Sequence, residues 1–173
     1  MKNILLSGKP GVGKTTLLIK VLKRLKGKNI GGFYTEEIRQ QGVRRGFKIK
    51  TLNGQEGILA HQDIKSKYKV GKYGVNMGDL EEIAASAIKN AIEESDAIAI
   101  DEIGKMELYS EKFRDATLQA LNSSKPVLAT IPHFQNEFLM VMKARQDVEL
   151  ITITPDNRDQ LVAKIIQRLT ELR

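Results

Sequence analysis

The chain has 173 residues, 41% of them hydrophobic, which suits one compact domain with a sizeable core and leaves too little for two full domains. Its 28 Lys and Arg against 21 Asp and Glu give a net charge of +7, which favours anionic ligands without choosing among nucleotides, nucleic acid and lipid. The absence of cysteine excludes disulfides, thiolate metal sites and thiol nucleophiles; the first apolar run breaks at Ser7-Gly8, too early for a signal peptide, and none approaches the ~20 residues of a membrane span. A cytoplasmic monomer with no membrane partner is the expectation.

In chain order, Asn3 to Ser7 reads as a short buried strand, GKPGVGKT as a Gly-rich loop, and Leu17, Leu18, Val21, Leu22 and Leu25 as one face of a helix. From Ile30 to about Val75, short alternating segments separated by Gln41-Gly42 and Asn53-Gly54 suggest an antiparallel meander inserted after the first helix. Asp79 with Glu82 three residues on resembles a capping box opening a helix to about Glu94. Strands are then expected at Ala97–Ile100, Val127–Thr130 and Leu150–Thr152. Helices are expected at Glu111–Leu121 after Ser110, at about Asn136–Lys143, and at Pro155–Leu172 with Thr154 as cap. Alternation of this kind predicts an α/β fold, a mostly parallel sheet with helices on both faces. The basic groups Lys20–Lys28 and Lys65–Lys72 read as solvated surface, without the aromatic interleaving of a single-strand-binding face.

Gly8, Gly13, Lys14 and Thr15 fit G-x-x-x-x-G-K-[ST] between a predicted strand and a predicted helix. In such a loop, the N–H groups of Gly8, Lys9, Gly11, Val12 and Gly13 turn inward as an anion nest, and Pro10, which has no N–H, belongs to the same nucleotide-binding turn. Lys14 reaches the β and γ phosphates and Thr15 Oγ1 ligates Mg²⁺. A plain strand-to-helix turn is the alternative, and the flanking elements weigh against it. Thr16 reads equally as an ordinary first-turn residue.

Ile98, Ala99 and Ile100 deliver Asp101 to the carboxyl edge of the sheet, where open α/β folds bind ligands. Asp101 is then placed to hold the Mg²⁺ shell, partly through water, and Glu102 to orient or deprotonate an attacking water. Without the Gly-rich loop, the same pair would read as a solvated strand end.

GKPGVGKTTL, GFYTEEIR with GFKIKTL, and IDEIGKMEL resemble the small P-loop nucleoside-triphosphatases of the THEP type, whose vertebrate members are called cancer-related nucleoside-triphosphatases. The resemblance covers most of the chain. It implies a RecA-like P-loop core and hydrolysis of several nucleoside triphosphates to diphosphate and phosphate. It also implies nucleotide-binding segments at Gly8–Thr15 (Walker A) and at Ile98, Ala99, Ile100, Asp101, Glu102, Ile103, Gly104 and Lys105 (Walker B), with Lys14 and Glu102 catalytic.

Other residues carry weaker expectations. Thr130 reads as a capped strand end before a phosphate sensor, Lys105 as surface or as transition-state cation, and Glu36, Glu37 and Arg39 as site or solvent. His61 and His133 have no third ligand at metal-site spacing. A nucleotide or small-molecule kinase, with Lys143 and Arg145 on a lid, ranks second to hydrolysis. A nucleic-acid-stimulated ATPase, suggested by charge alone, ranks third.

Overall fold

The computed structural model describes residues 1–171, so the predicted last helical residue, Leu172, lies outside the described residues. The order is β1 (Asn3–Gly8), α1 (Lys14–Arg24), β2 (Ile30–Gln40), β3 (Val43–Thr51), β4 (Glu56–His61), β5 (Lys69–Val70) and β6 (Tyr73–Val75). There follow α2 (Met77–Asp79), a π-helical turn (Leu80–Ala85), α3 (Ser86–Glu94), β7 (Ala97–Ile100), a 3-10 turn (Glu107–Tyr109) and α4 (Glu111–Asn122). The chain closes with β8 (Val127–Pro132), α5 (Glu137–Lys143), β9 (Val148–Thr152) and α6 (Arg158–Glu171).

Among the described residues, nine strands form one sheet, in the order β5-β6-β4-β3-β2-β7-β8-β1-β9. Strands β2, β7, β8, β1 and β9 pair in parallel, and β2, β3, β4, β6 and β5 pair antiparallel. One strand, β8, therefore separates the loop-bearing β1 from the acid-bearing β7. Every residue of β1 is buried because both faces of the sheet are covered, which is why the strand read from Asn3 to Ser7 is uninterruptedly apolar over Ile4–Leu6. On one face, Leu17, Leu18 and Val21 of α1 and Leu161, Val162 and Ile165 of α6 pack with Ile4 and Leu6. On the other, Ile88 of α3 and Phe113, Ala116 and Leu121 of α4 pack with Leu5, Ile98 and Ile100. Successive β1 side chains thus serve opposite cores.

Three expectations need correction. Ile30–Phe33 pair in parallel with β7, so β2 belongs to the main sheet and only its far half to the antiparallel extension. The junction depends on Gly32, whose φ of 104° is left-handed and where a Cβ would stand 2.0 Å from the Ala99 carbonyl oxygen. Asp79 is not an N-cap: Asn76 accepts the Asp79 N–H at 3.1 Å and starts the helical run earlier, while the Asp79 carboxylate accepts from Ile58 N–H on β4. Finally, α6 begins at Arg158 and not at Pro155. Thr154 and Asn157 bond each other reciprocally and hold 155–157 as a turn before the helix. Ser110 caps α4 as expected, accepting from Phe113 N–H at 3.1 Å.

Candidate active site

Parallel registry brings the predicted residues to one sheet edge. Gly8 ends β1 opposite Pro132 of β8, Ile100 lies opposite both Ala129 and Phe33, and Ile153 N–H bonds Ser7 O. Gly13 sits just before α1 at φ 102°, a conformation that turns the chain from loop into helix and that side-chain-bearing residues rarely adopt. Lys14 folds back across the loop, its Nζ donating to Gly8 O at 2.9 Å and to Lys9 O at 3.4 Å. Its ammonium therefore lies over the loop that the sequence marks as an anion nest.

Asp101 is 1% exposed and is held by hydroxyls from three strands or helices. Thr15 Oγ1 donates to its two oxygens at 2.9 and 3.0 Å, Thr130 Oγ1 to Oδ1 at 2.5 Å, and Thr35 Oγ1 and N–H to Oδ2, both at 3.3 Å. Burial raises its pKa and these donors oppose the rise. Thr130 is thus neither a strand end, since β8 runs on to Pro132, nor exposed; it is fully buried and orients Asp101. The donor set of a threonine hydroxyl beside a carboxylate is all hard oxygen, which fits Mg²⁺. No cluster of three or more His, Cys, Asp and Glu suited to a metal occurs among the described residues.

Glu102 is half-buried, and the peptide bond joining it to Asp101 is cis. Burial raises its pKa, the Asp101 charge adds to the rise, and Lys14 opposes it. The rest of the segment Ile98–Lys105 divides sharply. Ile98, Ala99, Ile100 and Ile103 are 0% exposed in the sheet core and Gly104 is buried, so the strand serves to deliver the acids. The Lys105 ammonium is exposed and stands over the Phe134 ring, 5.1 Å from its centroid. Glu37 pairs with both Arg39 and Arg44 at the surface and Glu36 pairs with Lys50, so the GFYTEEIR charges are taken up by surface partners.

Three residues escaped the sequence reading. Thr35 becomes visible only when β2 is paired with β7. Glu107 is 4% exposed and accepts Gly104 N–H at 3.1 Å; burial lifts its pKa well above the ordinary range and the Glu102 charge adds to this. Its sequence signal is an acid flanked by Met106 and Leu108 in IGKMEL. Arg158 extends its guanidinium toward Gly13, where a Cβ would lie 3.7 Å from it, and borders a small cleft with Thr16 and Lys20. Only the position of the β9–α6 loop reveals it.

A family model described as NTPase matches residues 3–166. The chain belongs to the THEP1 family of nucleoside-triphosphatases. A THEP1 nucleoside-triphosphatase from Thermotoga sp. is 50% identical over 166 residues, covering 96% of this chain and 94% of the relative. The crystal structure of THEP1 from the hyperthermophile Aquifex aeolicus superposes with a TM-score of 0.88 at 40% identity, over 96% of this chain and 98% of that one. The solution structure of a human cancer-related nucleoside triphosphatase gives 0.86 at 35% identity, over the whole of both chains. The THEP1 assignment carries the P-loop NTPase fold and the nucleoside-triphosphatase class expected from the resemblance. No helix among the described residues is long and apolar enough to cross a membrane.

Proposed function

We propose that this chain hydrolyses several nucleoside triphosphates to diphosphate and phosphate, with Mg²⁺, water as acceptor and little discrimination among bases. The observation that carries the reading is Glu102. Its carboxylate follows the threonine-bound Asp101 directly, feels the Lys14 charge, and has no hydrogen-bond donor from the protein among the described residues. It is thus free to accept a proton from water.

In this mechanism, the backbone N–H groups of the Gly8–Thr15 loop other than Pro10 bind the phosphates and Lys14 shifts from its loop carbonyls to the β- and γ-phosphate oxygens. Glu102 orients a water in line with the γ-phosphorus and accepts its proton as the new P–O bond forms and the bond to the bridging oxygen breaks. Thr15 Oγ1 and, through water, Asp101 would hold Mg²⁺, which neutralises phosphate charge when bound. Base tolerance is supported by the loop before α6. The Asn157 amide is committed to Thr154 N–H and Thr152 O, and Arg158 offers a planar cation able to face any base.

The test is phosphate release from ATP, GTP, CTP and UTP with Mg²⁺ present or chelated and no other acceptor. Comparable rates with Mg²⁺ and loss on chelation are expected. Glu102→Gln should bind nucleotide normally and turn over about 10²–10⁴ times more slowly. Normal turnover in that variant, or a strong preference for one base, would refute the reading.

A further inference from the structure

Three features the mechanism leaves unused, namely Lys105, the basic run Lys65–Lys72 and the segment after β8, meet around one cavity of about 420 Å³. Its walls include Lys69 from the β5–β6 hairpin, Lys105 and Tyr109 from the stretch after β7, and Phe134 and Asn136 from the stretch before α5. Two ammonium groups line it and no acid does. The basic run also contains Tyr68, an aromatic side chain inside the stretch read as lacking aromatic interleaving. Tyr68 tilts against Tyr109 with ring centroids 5.3 Å apart. Tyr109 is 41% exposed and its hydroxyl donates to Lys69 O at 2.8 Å, tying the two walls together. Asn136 Oδ1 accepts from Phe138 and Leu139 N–H, which fixes that side chain and leaves its amide NH₂ as a donor.

The cavity lies apart from the Gly8–Thr15 loop but beyond the same sheet edge, since Phe134 follows Pro132, the register partner of Gly8. We propose that it is a second ligand site, for a nucleoside monophosphate, with the base against Phe134 and Tyr109 and the phosphate at Lys69 and Lys105. Each part of the lining excludes a simpler ligand. Ammonium groups disfavour a purely apolar guest, and aromatic faces have no use for inorganic phosphate. Ligand sites for small molecules start at about 300 Å³, so this volume suits one nucleotide better than a strand. Aromatic faces accept any base, and lysines pair with a phosphate dianion as compact point charges.

Occupancy has a route to the hydrolytic acid. Lys105 adjoins Gly104, whose N–H is anchored on Glu107 and whose Cβ position would lie 2.6 Å from Glu102 Oε1. Drawing Lys105 off the Phe134 ring onto a phosphate moves the residue next to that contact, so a change in turnover accompanies binding.

The experiment titrates uridine 5′-monophosphate into protein already saturated with Mg²⁺ and a non-hydrolysable ATP analogue, by calorimetry and by amide NMR. One further saturable site is expected, with shifts at Lys69–Gly71, Lys105, Tyr109 and Asn136. Lys69→Met and Phe134→Leu should each weaken it about tenfold or more, the loss expected for one charge-assisted contact or one stacking face. Lys69→Met should leave the affinity for the ATP analogue unchanged, and uridine without phosphate should bind as weakly to wild type as the monophosphate does to that variant. The proposal is overturned by the absence of a further saturable site, or by shifts confined to Gly8–Thr15. Binding of oligo-uridylate without binding of the monophosphate would also overturn it, in favour of a single-strand surface. Failure of the analogue to bind at the first step would instead count against the phosphate-loop reading.

Discussion

Glu107→Gln tests the buried carboxyl beside the active acids. Its pKa is raised well above the ordinary 4.5 by burial, with repulsion from Glu102 second. Between the ordinary value and the raised one, the folded chain holds a proton that the unfolded chain has released. Stability from this group is fully present below about pH 4.5 and falls as pH rises through the window, by about 1.4 kcal/mol per pH unit for one proton. Glutamine cannot titrate, and its Oε1 can still accept the Gly104 N–H. As pH rises above the ordinary carboxyl range, wild type should therefore lose stability relative to the variant, at a slope of up to about 1.4 kcal/mol per pH unit while the folded group keeps its proton. Urea unfolding of both proteins at pH 5, 6 and 7 measures the difference directly. Parallel pH profiles would show that Glu107 ionises in the folded protein as it does in the unfolded chain, and the reasoning would fail.

Thr130→Val removes one hydroxyl donor from the Asp101 carboxyl with little change in volume, and should cost about 1.5–3 kcal/mol in urea unfolding. An unchanged midpoint would mean that Thr15 and Thr35 satisfy Asp101 without it. Gly32→Ala combines a left-handed φ with a Cβ set against Ala99 O, so roughly 3 kcal/mol or more should be lost; a variant with wild-type melting would disprove the β2–β7 junction described above. Arg158→Ala should raise KM for all four nucleoside triphosphates about tenfold with kcat little altered, because the guanidinium lies by Gly13 of the phosphate loop. A kcat loss at constant KM would place Arg158 at the transition state instead.

Local chemistry made much of the site legible. The Gly8–Thr15 spacing and the apolar strand ending in Asp101-Glu102 each describe a neighbourhood contained in a few consecutive residues, and pairing β1 and β7 around β8 brought them together. Thr35, Thr130 and Glu107 were harder to read because their roles depend on partners far along the chain, and nothing in a lone threonine marks which strand will lie beside it. The double membership of β2 was hidden for the same reason: its alternation signals a strand but not the direction of its neighbours. Asp79 misled because its spacing to Glu82 mimics a cap, while Asn76 three residues earlier was the better placed acceptor.

Strand β2 behaves as one beam carrying two loads. Near its start, Phe33 O and Thr35 N–H grip Asp101; at its far end it turns through the exposed Gln41-Gly42 hairpin. The tip can therefore accept a spliced-in peptide or fluorescent reporter without touching the acid pair, whereas shortening the arm back past Glu36 would remove the support under Asp101. Growth of this fold is open at the hairpin, and pruning is not.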